Sequence, residues 1–114
     1  MADIDEVELL DSSRPGLESS HYCLPILLKE PLAAKRLDVM ESLGKRGVGC
    51  SVYYPRPIPH MSYYRQKYGY DDATFPVAAR ISKCSIALPI GPHVEAEDVV
   101  YIAEQVKSAI AEVK

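Results

Sequence analysis

No uncharged apolar run in this 114-residue sequence approaches the ~20 residues that a membrane-spanning helix needs. The three cysteines, Cys23, Cys50 and Cys84, form no C-x-x-C pair. Neither they nor His21, His60 and His93 are spaced to bring four zinc ligands together. Each cysteine sits in an apolar stretch and reads as a small core hydrophobe, so no metal site and no disulfide framework are expected. The glycines at 44, 47 and 49 end a helical pattern rather than open one, which removes a Gly-rich phosphate loop. No serine stands at a nucleophile elbow, no His-Glu pair lies four apart on a helix, and there is no repeat or low-complexity tract. Excess basic charge is also missing: the net charge of −3 gives no reason to expect nucleic acid or an anionic membrane as partner. The first residues are acidic (Asp3, Asp5, Glu6, Glu8), unlike a signal or transit peptide, so the cytoplasm is the expected compartment.

What is present is an ordinary globular composition, 47% hydrophobic and 25% charged, at the length of one domain. Residues 1–20 begin with a short amphipathic stretch, Ile4, Val7 and Leu10 against Asp3, Glu6 and Asp11, and break at DSSRPGLESS. A helix this short is marginal alone, so 1–20 reads as a mobile arm or the end of a preceding element, and 21–114 as the domain proper. HYCLPILL (21–28) alternates as a strand, with Pro25 implying an edge or a locally open pairing. A helix follows from Pro31, with Ala33, Leu37, Met40 and Leu43 as its buried stripe, Lys45 and Arg46 at its negative end and Gly47 as its stop. VGCSVYY (48–54) alternates as a second strand, FPVAARISKC predicts a helix from Pro76 to about Cys84, and SIALPI a third strand. The span 95–113 is a helix with Glu95, Glu97 and Asp98 at its start and Val99, Ile102, Val106, Ile110 and Val113 in one stripe. The order β-α-β-α-β-α predicts an α+β fold, a small two-layer sandwich with a three-stranded sheet and helices on one face. Leu24, Ile26, Val52, Ile86 and Leu88 are expected in the core with the helix stripes.

The stretch YYPRPIPH (53–60) stands apart. Pro55, Pro57 and Pro59 each fix φ near −65° and push the preceding residue toward extended backbone, making a stiff arm that carries Arg56 and His60. Rigid display of a cation and phenols suits a phosphate or sugar ligand. A plain strand-to-helix crossing, its tyrosines covering the edge of the core, accounts for the same residues. Asp71-Asp72 beside Gly69 reads as a solvated turn, and Lys45 and Lys83 as partners of helix dipoles.

In order along the chain, PGLESSHYCLPILL, KRLDVMESLGKRGVGCSVYYPRPIP, YYRQKYG, FPVAARISKCSIALPI and VEAEDVVYIAEQV resemble the C-terminal domain of the DegT/StrS family of sugar aminotransferases. The resemblance runs from about Pro15 to Val113. It departs from the family pattern at Tyr53 and Pro59, where histidines are frequent, at Ala79, where an acid is frequent, and at Glu95, where a Ser or Thr cap is usual. His60 lies one place beyond the family's second histidine.

The resemblance implies the small domain of a fold-type I enzyme dependent on pyridoxal phosphate, aminating a keto-sugar nucleotide with glutamate or glutamine as donor. In that family a preceding large domain supplies the lysine, the carboxylate for the pyridine nitrogen and the phosphate cup, so this chain by itself is expected to be catalytically incomplete and to hold no cofactor. The partners implied are that large domain, a second copy in a homodimer and the nucleotide-sugar. The substrate-facing residues implied are Tyr53, Tyr54, Arg56 and His60, with no catalytic residue in this chain. The other reading open at this point is a stand-alone α+β module that binds a small ligand or regulates. A severed domain should expose apolar surface near the arm and the tyrosine-rich segment 63–70, and a free module should not.

Overall fold

The computed structural model describes residue 1, residues 3–11 and residues 14–114. Three strands, β1 (Val7–Leu9), β2 (Leu24–Leu28) and β3 (Ser85–Leu88), form one antiparallel sheet in the order β1-β2-β3. The register sets Val7 opposite Leu28 and Ile26 opposite Ile86, so Val7, Ile26, Leu28, Ile86 and Leu88 share a face. Against that face lie α1 (Arg36–Lys45) and α4 (Ala96–Val113), which contribute Val39 and Leu43, and Ile102, Val106, Ala109 and Ile110, to one continuous core. The chain is α+β, with helices over a three-stranded sheet as the alternating and helical periods predict.

The order of elements differs from β-α-β-α-β-α in two places. Residues 7–9 are a strand rather than part of a helix or a loose arm, and Ile4 and Val7 are both buried. Their i, i+3 spacing fits a helix, but so short a helix gains little, whereas the open edge of β2 offers a ready ladder. The acids of this stretch are tied down individually. Asp3 pairs with Lys107, Glu6 with Lys114, and Glu8 with Arg80 at 3.0 Å, while Lys29 donates to the Asp5 carbonyl at 2.7 Å. These pairs hold the three carboxyls below their usual range, Asp3 at about 2.

The second expected strand, 48–54, is a single rung. Ser51 exchanges both backbone hydrogen bonds with Ala87, at 3.0 and 2.7 Å, and no longer ladder forms. Extending that register would set Gly49 against Pro89, which has no N–H, and Tyr53 against Ser85, where a helix has just ended. Val52 is accordingly only half-buried.

The helix after Pro31 starts as a 3₁₀ turn, Leu32–Lys35, and becomes α-helical at Arg36. The tighter turn rotates the stripe, so Val39, Ser42 and Leu43 face inward and Leu37 is 72% exposed, contrary to expectation. Leu24 and Met40 are half-buried against the core. Val99, also expected inside, lies in a first turn of α4 that stands clear of the sheet. Two further helices, α2 (Ser62–Tyr68) and α3 (Pro76–Cys84), precede β3. The sequence reading left α2 unassigned. Helix α3 runs into β3 without a loop, and its Arg80 meets Glu8 on the side of the sheet away from Val7, so not every helix lies over the core face.

Candidate functional site

Everything from Ser51 to α3 is an excursion from the sheet. It begins at the Ser51–Ala87 rung, passes through Tyr53 and Tyr54, whose peptide link is cis, and enters the proline tract. Pro57 is extended, and Ile58–His60 make one 3₁₀ turn closed by His60 N donating to the Pro57 carbonyl at 2.9 Å. Gly69 ends α2 in a left-handed conformation (φ 71°), which a side chain would make costly. Asp71 then organises the next turn: its Oδ1 accepts from the amides of Ala73 (3.0 Å) and Thr74 (2.9 Å) and from the Thr74 hydroxyl (2.8 Å). Those donors, Thr74 foremost, lower the Asp71 pKa, because they favour the charged carboxylate.

The expected site residues part company here. Tyr53 and Tyr54 are exposed, with ring centroids 5.8 Å apart, and Tyr22 joins them at 6.5 Å from Tyr53. The neighbouring phenol of Tyr54, and then Tyr53, raise the Tyr22 pKa. Arg56 is exposed as well. His60 is not: it is 9% exposed, and its Nε2 donates to the Thr74 carbonyl at 2.7 Å, joining the proline tract to the Asp71 turn. The histidine is a fastening within the loop.

Two clefts flank the Arg56-Pro57 ridge. One, of about 350 Å³, has a mixed lining that includes Arg56, His60, Asp72, Ala79, Ser82 and Lys83. The other, of about 470 Å³, is apolar and lined by Tyr53, Tyr54, Ile58, Met61, Ala78 and Ile81. Asp72 is engaged by Arg65 at 3.1 Å, so it does not neutralise Arg56. Lys83, assigned from sequence to the helix dipole, is the cleft residue that sequence reasoning missed. Its only signal was helical spacing, four residues after Ala79 on the face that meets the loop.

A large apolar surface is open around these clefts. Tyr53, Tyr54, Ile58, Met61, Tyr63, Tyr68, Phe75 and Val77 are all exposed, as are Leu9 at the end of β1 and Leu10 and Leu17 after it. Rings run in contact from Tyr63 through Tyr64, Tyr68 and Tyr70 to Phe75, and Lys67 lies over Tyr63 and Tyr68. The radius of gyration, 15.6 Å, exceeds the ~13 Å expected of a compact chain this long.

The pyridine cofactor that the sequence resemblance implies does not fit the described residues. Every lysine is exposed, so none has the sheltered setting that a covalent tether needs. The starts of α3 and α4 are also unsuited to a phosphate: α3 opens on Pro76, which lacks an N–H, and at α4 the Glu95 amide donates to the chain's own Asp98 at 2.9 Å. Among the described residues no group of three or more His, Cys, Asp or Glu is placed to hold a metal. No helix among them is long and apolar enough to cross a membrane.

Residues 1–107 match the model of the DegT/DnrJ/EryC1/StrS aminotransferase family. An uncharacterised protein of Methanocaldococcus jannaschii is 32% identical over 92 residues, which is 80% of this chain and 24% of that protein. The fold superposes on Helicobacter pylori PseC, an aminotransferase involved in the biosynthesis of pseudoaminic acid, with a TM-score of 0.79 and 27% identity over 96% of this chain and 29% of that one. It also superposes on Spr1654 of Streptococcus pneumoniae in its PLP form, with a TM-score of 0.82 and 25% identity over 96% of this chain and 27% of that one. The chain thus spans about a quarter of the length of these relatives.

Proposed function

Because the chain belongs to the DegT/DnrJ/EryC1/StrS aminotransferase family, we propose that it is the C-terminal small domain of a pyridoxal-phosphate-dependent enzyme that aminates a keto-sugar nucleotide, with glutamate or glutamine as donor. The observation that carries this reading is the pair of clefts along the Arg56-Pro57 ridge, open on an apolar surface that none of the described residues covers. Such a surface suits one wall of an active site whose other wall is a separate large domain. That domain would hold the cofactor, which when bound supplies the electron sink for moving an amino group. It accounts for the length that the relatives have and this chain lacks, and a homodimer would complete the cleft.

Within that assembly Tyr53, Tyr54 and Arg56 face the substrate, and His60 holds the loop on which they stand. Arg56 orients the nucleotide through its phosphates, because a guanidinium donates to two oxygens at once. The aromatic cleft beside it takes the less polar part of the ligand and sheds water there. Both contributions bind ground state and transition state alike. In a complete enzyme carrying this domain, Arg56→Ala should therefore raise KM for the sugar nucleotide more than it lowers kcat. A kcat loss with KM unchanged would overturn that role.

The 114-residue chain by itself should bind no cofactor specifically and carry out no transamination. Mixing it with pyridoxal phosphate tests this directly: a stable absorbance band that one particular lysine substitution abolishes would sink the incomplete-module reading. A free-standing ligand-binding module remains the rival. A clean monomer in sedimentation, with no binding of an apolar dye, would favour it over a severed domain.

A further inference from the structure

Thirteen residues of this chain are lysine or arginine, and almost all are occupied. Lys29, Lys35 and Arg36 donate to backbone carbonyls. Six more face carboxylates, and Lys67 lies over two tyrosine rings. The three side chains left over are Arg14, Arg56 and Lys83, which make no side-chain hydrogen bond or ion pair among the described residues. Two of those three line the same 350 Å³ cleft.

We propose that the cleft between the proline loop and α3 is an anion subsite in which Lys83 and Arg56 together hold a phosphate-class group, the diphosphate of a nucleotide being the form it would take in the proposed enzyme. This deepens the functional reading and rests on it for the nucleotide, but not for the anion. The cleft's one carboxylate, Asp72, is already bound to Arg65, so it cannot serve both cations. An anion with several oxygens can, pairing with the fork of Arg56 on one side and the point charge of Lys83 on the other. The volume suffices: it equals that of roughly ten water molecules at ~30 Å³ each. The two cations ride on separate elements, a proline-stiffened loop and the last turn of α3. The His60–Thr74 bond limits how far the loop can drift from its place beside α3. A lysine serving only the α3 dipole would add to helix stability and owe nothing to a ligand in the cleft.

The test is titration of the 114-residue chain with inorganic pyrophosphate and, separately, with a nucleoside diphosphate, by calorimetry at low and at physiological salt. Saturable binding that weakens with salt is expected. Lys83→Ala and Arg56→Ala should each weaken it about five- to tenfold while leaving the melting temperature within a degree or two. Ala79→Glu, which restores the acid frequent at this position in the family and puts a second carboxylate into the cleft, should weaken pyrophosphate binding by the isolated chain. Arg14→Ala, which removes the unpaired cation outside the cleft, should change nothing. Tighter binding of the nucleoside diphosphate than of pyrophosphate supports a nucleotide-borne group, and equal affinity supports a free phosphate; either keeps the subsite. Absence of saturable binding, an Arg14→Ala effect as large as that of Lys83→Ala, or a Lys83→Ala protein that binds normally overturns it. A complete enzyme that aminates sugar nucleotides with an unchanged KM after Lys83→Ala would refute the subsite and leave the aminotransferase reading standing. Pyrophosphate binding lost with Lys83, in a protein that never transaminates, would do the reverse.

Discussion

Helix α4 buries Ile102, Val106, Ala109 and Ile110, whereas helix α2 buries nothing. The first is the floor of a core that runs through every strand. The second, seven residues long, is too short to persist on its own hydrogen bonds. It stands because its tyrosines touch one another, Arg65 reaches Asp72, and His60 fastens the loop before it to the turn after it. The contrast teaches that the chain has a finished half and an unfinished half. The body of sheet, α1 and α4 turns most of its apolar residues onto itself, with Leu9, Leu37 and the start of α4 as exceptions. The excursion from Ser51 to α3 presents Tyr53, Tyr54, Ile58, Met61, Tyr63, Tyr68, Phe75 and Val77 outward.

The sharpest way to break this contrast is to truncate one side chain in each half. Leu43→Ala in the body, where Leu43 is fully buried, should cost about 2–5 kcal/mol and lower the melting temperature by many degrees. Tyr68→Ala in α2, 56% exposed, should cost about 1 kcal/mol or less in this chain. Equal losses in thermal denaturation would erase the distinction between the halves. In a complete enzyme the Tyr68 change should grow more damaging, since the ring would there be covered.

Fastening comes next in size. His60→Ala orphans the Thr74 carbonyl, which should cost about 1–3 kcal/mol, felt locally. Amide exchange should quicken at residues 58–61 and 73–75 and stay unchanged in β2, β3 and α4. His60→Gln, which keeps a donor, should restore part of the protection. Faster exchange through the whole sheet would mean that the excursion is part of the core after all.

The smallest effect concerns acid. Asp3, Glu6 and Glu8 in the arm, and Asp71 in the excursion, all have folded pKa values below their unfolded ones. Depressed carboxyls contribute stability above the unfolded pKa and lose it as pH falls through the folded one. Between about pH 4.5 and 2, the attachment of β1 and the Asp71 turn should therefore loosen while the apolar core persists. Residue-resolved exchange across that range checks this, and an arm unaffected at pH 2 would show that burial of Ile4 and Val7 alone holds it.

The body was largely legible in the sequence. Period-2 alternation found β2 and period-3.6 stripes found α1 and α4, because each of those buries a face, while Pro76 marked the start of α3 and the short apolar run before Pro89 marked β3. Errors arose where the local pattern was overruled from a distance. Ile4, Val7 and Leu10 repeat like a helix, but an open edge on β2 claimed them as a strand. Val48, Cys50 and Val52 alternate like a strand, but Pro89 and the end of α3 leave room for one rung. Leu37 was misplaced by a 3₁₀ turn that no residue announces. The site was legible in part. The prolines marked a stiff loop with Tyr53, Tyr54 and Arg56 outward, whereas the inward turn of His60 depended on a carbonyl fourteen residues away. Lys83 enters the cleft only because α3 folds back beside the loop, which no local signal reports.

The excursion leaves the sheet at Ser51, bonded to Ala87, and returns through α3 directly into Ser85. Its two ends therefore meet two residues apart on one strand. A segment anchored in this way can vary in its outer part: lengthening or rewriting residues 52–75 leaves Ile86, Leu88 and the contacts of α3 with Glu8 and Arg36 in place, because the closure cost of a loop grows only slowly with its length. Descent with variation can thus change this segment at little risk to folding, provided that Ser51 keeps its rung and α3 keeps its junction with β3.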